Sequence, residues 1–195
     1  VPRSREARRT GRGERSGLLG HLARQRPRSG LRLREPRRLP RGLDAGEVAA
    51  LLGSFASLRD RAIAGLMLFS GLRSFEVLGL EVGDVDVGRG WVRVLGKGDK
   101  ERRVPVDREV TGSVQSYLLF ERPETDSRAL FIVAKGPTRG RPLTAAGLRS
   151  VFRYHRARAR VPAAHPHALR HTFGTALAEA GVDLAVLQAL MGHDH

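Results

Sequence analysis

The sequence predicts a mainly helical α+β domain that carries one small antiparallel sheet. Apolar residues recur at helical spacing through most of the chain after residue 43, whereas residues 91–106 alternate apolar and polar side chains around a glycine-rich turn. With 41% hydrophobic residues, a chain of 195 residues has enough apolar surface for one real core. These observations indicate one domain built mostly of helices.

Residues 1–42 form a separate region by composition. They hold fourteen Arg and three Glu among Gly, Pro and Ser, and they show no sustained apolar period. This composition is typical of a disordered or weakly structured basic tail. We therefore expect the folded domain to occupy residues 43–195.

The first elements of the domain are helices. Asp44 with Glu47 three residues later resembles a capping box and predicts a helix start. The next stretch, about Leu58–Phe69, is strongly apolar, which predicts a buried helix. A third helix follows and carries Arg73 and Glu76.

The middle of the chain changes to strands. Trp91–Leu95 and Arg102–Val106 alternate around Gly96–Lys100, a pattern that predicts a β-hairpin with a glycine-rich turn. One more short strand is expected at Leu130–Val133. Further helices are predicted near Glu109–Glu121, Thr144–Arg160, Pro166–Ala180 and Asp183–Met191.

Composition limits the classes of function. The chain has no cysteine, so disulfides and cysteine-ligated metals are excluded. It has no apolar run near the roughly 20 residues that span a membrane, and we expect no secretory signal. Of the net charge of +15, the tail contributes +11 and the remaining residues +4. This charge favours attraction to phosphate backbones but says nothing about sequence specificity.

The densest cluster of reactive side chains is His165-Pro-His167-Ala-Leu-Arg170-His171. At helical spacing His167, Arg170 and His171 share one face, so His167 and Arg170 could point at one phosphate. Two alternatives remain open at this point. The cluster could be an ordinary capped or solvated helix start, or His167 and His171 could bind a metal.

Three more residues have both a functional and an ordinary interpretation. Arg73 begins a helix with Glu76 one turn on, which could be an oriented functional arginine or a surface ion pair. Lys97, one of only three lysines, could donate a proton from a mobile turn or be an exposed turn residue. His193, near the last residue, is by itself a solvent-exposed histidine.

Taken together, these pieces resemble the tyrosine recombinases of the phage integrase family. Four family motifs occur in order over about residues 40–195, and this combination is far more specific than any one of them. They are Ser70-Gly-Leu-Arg73-Ser-Phe-Glu76, Gly96-Lys97-Gly-Asp-Lys-Glu-Arg-Arg-Val-Pro105, His167-Ala-Leu-Arg170-His171 and Met191-Gly-His193.

The resemblance implies the tyrosine recombinase catalytic-domain fold and phosphoryl transfer on DNA without metal or cofactor. Arg73 and Arg170 would neutralise the scissile phosphate, and His167 would act as general base or hydrogen-bond donor. Lys97 would protonate the leaving 5′-oxygen, and His193 would support the phosphate. A tyrosine would form a 3′-phosphotyrosyl intermediate, with Glu76 and His171 as supporting residues.

The resemblance also implies partners and a location. We expect double-stranded DNA as the substrate, a tetrameric synapse for the intact family, no membrane, no small-molecule substrate, and a cytoplasmic position at the nucleoid. Two departures qualify this picture. The family's nucleophilic tyrosine would lie beyond His195, and Tyr117 and Tyr154 are interpreted as packing residues. Residues 1–42 are too short and polar for the family's helical core-binding domain.

Three hypotheses therefore follow from the sequence. The first is a recombinase catalytic domain that is inactive alone because it lacks its nucleophile, although in some relatives a partner protomer donates the tyrosine. The second is a non-catalytic DNA-binding remnant. The third is a metalloenzyme that binds its metal through His167, His171 and a third ligand.

Overall fold

The computed structural model describes residues 42–96 and 100–192, all within one compact unit. The mainly helical class with a small antiparallel sheet is confirmed. The predicted basic tail lies outside the described residues, apart from Gly42, so that assignment stays a prediction. The elements in chain order are α1 (Ala45–Ser54), α2 (Leu58–Phe69), α3 (Ser74–Gly79), β1 (Val85–Asp86), β2 (Trp91–Leu95), β3 (Glu101–Pro105), α4 (Arg108–Phe120), α5 (Ala145–Arg158), α6 (Pro166–Glu179) and α7 (Leu184–Met191).

Helix α2 lies at the centre of the core. Its residues from Ala62 to Leu68 are all buried, because α4 and α6 pack along it and α3 continues from its end. A helix that is covered on several sides must be apolar where it is covered, and residues Ala62–Leu68 of α2 contain no polar side chain. The predicted buried helix is confirmed with its bounds at Leu58 and Phe69.

The sheet is a three-stranded antiparallel meander in the order β1, β2, β3. Within β2 and β3, Val92, Val94 and Val104 are buried, and Trp91 and Arg93 are exposed on the opposite face. The predicted hairpin is confirmed, although β3 spans Glu101–Pro105, one residue earlier than expected. The two-residue strand β1, which pairs with Trp91 and Val92, was not predicted.

The predicted strand at Leu130–Val133 is wrong. This segment makes one isolated bridge, Ile132 with Pro142, and a second, Glu81 with Ala129, lies just before it. Its backbone hydrogen-bonds first to Leu80 and then to the chain near residue 143, so no single neighbour stays alongside long enough to form a ladder. Leu130, Phe131 and Ile132 are all buried, and this apolar run explains the strand-like appearance of the sequence.

Helix starts follow the predicted local chemistry. Asp44 and Glu47 form the predicted capping box, with hydrogen bonds of 2.8 and 3.1 Å between side chain and backbone. Helix α6 begins with His165 as its N-cap and Pro166 as its first residue, a position where proline loses no helical hydrogen bond.

Across the described ranges, no helix is both long and apolar enough to cross a membrane.

Candidate active site

Arg73 is fixed by the start of the short helix α3. It is the N-cap residue, and its backbone N–H donates to Oε2 of Glu76 at 2.7 Å. Its Nη1 donates to Oε1 of the same carboxylate at 3.1 Å. The Glu76 side chain is completely buried, so the surface ion pair considered for these two residues is wrong. Arg73 itself remains partly exposed at the site.

Arg170 lies in the second turn of α6 and is buried. Its Nη1 donates to the carbonyl of Gly71, and its Nη2 donates to the carbonyl of Met191 at 2.5 Å. Gly71 has a φ of +65°, and a Cβ there would overlap the ring of Phe173 from α6. The α2–α3 turn can therefore approach Arg170 because residue 71 is a glycine. An ordinary solvated helix start does not describe Arg170.

The two arginines meet at the C-terminal end of α7. Arg73 donates from Nη2 to the carbonyl of Gly192 at 2.7 Å, and Arg170 donates to the carbonyl of the preceding residue, Met191. Gly192 ends the helix in the left-handed region, at φ +60°. Elements that are distant in sequence thus bring two guanidinium groups to consecutive carbonyls.

Arg102 belongs to the same cluster, although the sequence analysis did not select it. Its Nη1 and Nη2 donate to the two oxygens of Glu76 at 2.8 and 3.1 Å. Burial by itself raises the pKa of Glu76, but the hydrogen bonds from Arg102 and Arg73 outweigh burial and hold that pKa below its ordinary value. Glu76 is therefore an anion that two arginines share.

The cluster carries an excess of positive charge. Burial, together with the nearby charges of Arg73 and Arg102, lowers the pKa of Arg170 to about 10, and Glu76 opposes this effect only in part. Three guanidinium groups face one carboxylate, so an anion placed beside Arg73 and Arg170 would relieve their mutual repulsion. The arrangement is suited to a group with several negatively charged oxygens, such as a phosphate.

The histidines of the cluster occupy different surroundings on α6. His167 is exposed at the second position of the helix, one turn before Arg170, and His171 is half-buried one turn after His167. His165 caps the helix, since its Nδ1 accepts from the N–H of Ala168 at 3.1 Å. Burial and the neighbouring His167 and Arg156 lower the pKa of His165, which favours the neutral form that this cap requires.

Two predicted site residues, Lys97 and His193, lie outside the described residues. Their neighbours are described. Gly96 donates its N–H to the carbonyl of Lys100 at 2.8 Å and closes the base of the hairpin turn. Gly192 is the residue that accepts from Arg73. The roles assigned to Lys97 and His193 stay predictions.

In the part of the chain that the structure describes, neither tyrosine hydroxyl is hydrogen-bonded to Arg73, Arg102 or Arg170. Tyr117 is fully buried in α4, and its hydroxyl accepts from the N–H of Ile132 at 3.3 Å, as expected for a packing residue. Tyr154 is 59% exposed on α5, so its interpretation as a packing residue is wrong. Its hydroxyl accepts from Nη1 of Arg158 at 3.2 Å.

The metal hypothesis requires a third ligand near His167 and His171. Within residues 42–96 and 100–192, no group of three or more His, Cys, Asp or Glu side chains is arranged to hold a metal ion. The described residues therefore give this hypothesis no ligand set.

Comparison with known proteins establishes the class. The model of the phage integrase family matches residues 41–195, which is most of the chain. The chain therefore belongs to the phage integrase family, that is, to the tyrosine recombinases, and this match covers their catalytic domain.

Individual relatives agree with this assignment. The tyrosine recombinase XerD of Yersinia pestis is 36% identical over 165 residues, covering 81% of this chain and 55% of the relative. The tyrosine recombinase XerC of Mycobacterium sp. strain KMS is 39% identical over 159 residues, covering 77% and 51%. The chain thus spans about half the length of the curated relatives it matches.

Solved structures share the fold. The crystal structure of XerA recombinase has a TM-score of 0.74 at 29% identity, covering 82% of this chain and 58% of that one. The post-cleavage complex of XerH site-specific recombinase with its palindromic difH substrate has a TM-score of 0.68 at 28% identity, covering 81% and 48%.

Proposed function

We propose that this chain is the part of a site-specific DNA recombinase that binds and activates the scissile phosphate of duplex DNA. The observation that carries the proposal is the meeting of Arg73 and Arg170 at the end of α7, with Glu76 buried behind them. Arginine forks match the non-bridging oxygens of a phosphodiester and stabilise the extra charge of its transition state. Because the chain belongs to the phage integrase family, we interpret the phosphate that these arginines bind as the scissile phosphate of DNA.

The reaction we propose is transesterification through a 3′-phosphotyrosine. The tyrosine oxygen bonds to phosphorus while the bond to the 5′-oxygen breaks, so the phosphodiester energy is kept for religation. His167, exposed one turn before Arg170, would exchange a proton or donate a hydrogen bond at the phosphate. We assign protonation of the leaving 5′-oxygen to Lys97 and support of the phosphate to His193.

Helix α5 supports DNA as the substrate. It carries four arginines and no acidic residue, and three of them, Arg149, Arg153 and Arg158, are exposed. Tyr154 is exposed among them. A helix with several exposed arginines and no acidic residue favours contact with a phosphate backbone and salt-dependent binding. The XerH neighbour is a recombinase bound to its difH DNA, which agrees with this interpretation.

We further propose that the intact protein acts in a tetrameric synapse at the nucleoid, in the cytoplasm. Strand exchange joins two duplexes, each cut on both strands, and this requires four active sites. The chain has the two arginines that such a site needs but does not place Tyr117 or Tyr154 beside them.

The decisive experiment compares duplex binding by the 195-residue chain and by its Arg73→Ala plus Arg170→Ala variant. We expect the Kd for a short duplex to rise at least about tenfold, because two direct phosphate contacts are lost. The control is Arg93→Ala plus Arg103→Ala, which removes the same charge from the exposed face of the sheet. Equal losses in the two variants would show that binding does not use the site.

A covalent assay tests the nucleophile. We expect no protein–DNA adduct when this chain is incubated with a nicked suicide substrate, since the hydroxyls of both tyrosines are engaged elsewhere. An adduct that survives denaturation would overturn this expectation and would be mapped to Tyr117 or Tyr154. An adduct would also exclude the second candidate, a non-catalytic DNA-binding module, which the placement of the two tyrosines favours.

A further inference from the structure

Arg102 occupies a strand position that would ordinarily hold an apolar side chain. Along β3 its side chain points the same way as buried Val104, and its cross-strand partner is Val94, which is also buried. The Arg102 side chain is only 17% exposed. Arginine is seldom placed in such surroundings without a partner, because removing its charge from water is costly.

The partner of Arg102 is Glu76. Each terminal nitrogen of Arg102 reaches one oxygen of that carboxylate, at 2.8 and 3.1 Å. The same two oxygens also accept from Arg73, one from its Nη1 and the other from its backbone N–H. Glu76 therefore has four donors, and its position depends on both arginines. Nε of Arg102 is buried and finds no acceptor among the described residues.

Arg102 also forms the surface on which the end of α7 rests. A Cβ placed on Gly192 would lie 3.1 Å from Cζ and Nη1 of Arg102 and 3.2 Å from Nη1 of Arg73. Gly192 thus packs against both guanidinium groups while its carbonyl accepts from Arg73. One side chain of β3 consequently contacts the carboxylate that orients Arg73 and the residue to which Arg73 donates.

We propose that Arg102 is a positioning residue of the phosphate site, whose guanidinium fork holds Glu76 in place and thereby fixes the direction of Arg73. The identification of the ligand as a phosphate rests on the proposed function. The contacts among Arg102, Glu76 and Arg73 do not depend on it. A lysine offers a single point charge without the planar fork, so it replaces Arg102 only in part. Glutamine removes the charge altogether.

The experiment uses the 195-residue chain with Arg102→Gln and Arg102→Lys. The control is Arg103→Gln, which removes one positive charge from the next residue of the same strand, on its exposed face. The first readout is the NMR titration of the Glu76 side-chain carboxyl carbon. The second is the Kd for a short blunt-ended duplex at fixed salt, and chemical denaturation monitors the fold of each variant.

We expect the Glu76 titration to move to higher pH in Arg102→Gln, because two of the four hydrogen bonds to the carboxylate are gone. Arg102→Lys should lie between Arg102→Gln and the unmodified chain, and Arg103→Gln should match the unmodified chain. Duplex binding should weaken about tenfold in Arg102→Gln, well beyond the loss in Arg103→Gln.

Two outcomes overturn the proposal. One is a Glu76 titration that is the same in Arg102→Gln and Arg103→Gln. The other is an Arg102→Lys variant that titrates and binds like the unmodified chain, since the fork would then be unnecessary. If Arg102→Gln does not fold, the lysine variant alone decides between these results.

Failure of the proposed function gives a different result. In that case Arg73→Ala plus Arg170→Ala leaves duplex binding unchanged, while the Glu76 titration still responds to Arg102→Gln. A shift in titration combined with intact binding in the double variant therefore separates the two proposals.

Discussion

The buried charges at this site oppose folding unless each finds its partner. Arg170 is 4% exposed, and its lowered pKa, about 10, shows that burial and the two other arginines disfavour its charge. Two hydrogen bonds offset the cost of burying this charge, because Arg170 donates to the carbonyls of Gly71 and Met191. Gly71 and Met191 thus support the site through their backbone carbonyls, which hold Arg170 in place.

The dependence of the Arg170 site on the surrounding backbone is easiest to measure at Gly71. We expect Gly71→Ala to lower the free energy of unfolding by about 2–4 kcal/mol, because a Cβ adds left-handed backbone strain and overlaps the Phe173 ring. Urea denaturation measures the change. The control is Gly181→Ala, which also has a positive φ but no atom within 4 Å of the added Cβ.

Gly181→Ala adds backbone strain without a steric overlap, so it should lower the free energy of unfolding by about 1 kcal/mol. Equal losses at the two positions would mean that the approach of α6 to the α2–α3 turn does not depend on the missing side chain. A larger loss at Gly71 would show that the close approach of α6 to the α2–α3 turn requires a residue without a side chain there.

At the residue scale, the sequence located the two arginines but not the third. Arg73, Arg170 and Glu76 were identified through motif resemblance and lie together in the structure. Arg102 carried a signal of its own, because it is in phase with Val104 and Val106 on the inward face of the predicted strand. The partner of such an inward arginine lies far along the chain, and no local pattern specifies it.

At the scale of elements, a second buried cluster joins α1, α2 and α5. His155 of α5 lies 3.1 Å from Oγ of Ser54 and 3.6 Å from Oδ2 of Asp60, and its ring packs on Phe55. Burial lowers the pKa of His155, and Asp60 opposes this only in part. The repulsion from Arg158 acts in the same direction as burial.

This cluster predicts a loss of stability in mild acid. The unfolded chain protonates His155 near its ordinary pKa of 6.5, whereas the folded chain does so only at lower pH. Between these two values the unfolded state binds more protons, so the free energy of unfolding falls as the pH falls below 6.5. The contribution of His155 is complete above that pH and is lost as the pH drops through its folded pKa.

Urea denaturation over a series of pH values tests this expectation. His155→Gln should flatten the decline, by about 1.4 kcal/mol for each unit by which folding lowers the pKa. His165→Gln provides a comparison, because the pKa of His165 is also lowered and its decline has the same sign. An unchanged pH profile in His155→Gln would contradict the assignment of the acid sensitivity to the contacts between α1, α2 and α5.

Elements were predicted well where one local period decides their structure. The bounds of α2 and β2 follow directly from apolar run length and alternation. Residues 130–133 have the same local signature as a strand. Their backbone, however, hydrogen-bonds first to Leu80 and then to the chain near residue 143, and only the tertiary structure reveals this change of partner. The two-residue strand β1 carries too few residues for any period.

At the scale of the whole molecule, the charge is divided between two regions with different predicted roles. Residues 1–42 carry a net charge of +11, whereas the remainder of the chain carries +4. Both regions are expected to attract DNA, and a Kd measured at one salt concentration does not tell their contributions apart. The salt dependence of binding does, because its slope reports how many phosphates each region neutralises.

We expect deletion of residues 1–41 and the Arg73→Ala plus Arg170→Ala exchange to change that slope by different amounts. Each phosphate contact contributes about 0.9 to the slope of log Kd against log salt, so the double exchange should lower it by about 2. Deletion of a segment with fourteen arginines should lower the slope further while leaving the contribution of the site intact. Fluorescence anisotropy with a labelled duplex, over a range of potassium chloride concentrations, gives both values. If the deletion abolishes binding and the double exchange leaves the slope unchanged, the affinity for DNA belongs to the tail, and the arginine cluster has no part in capturing the duplex.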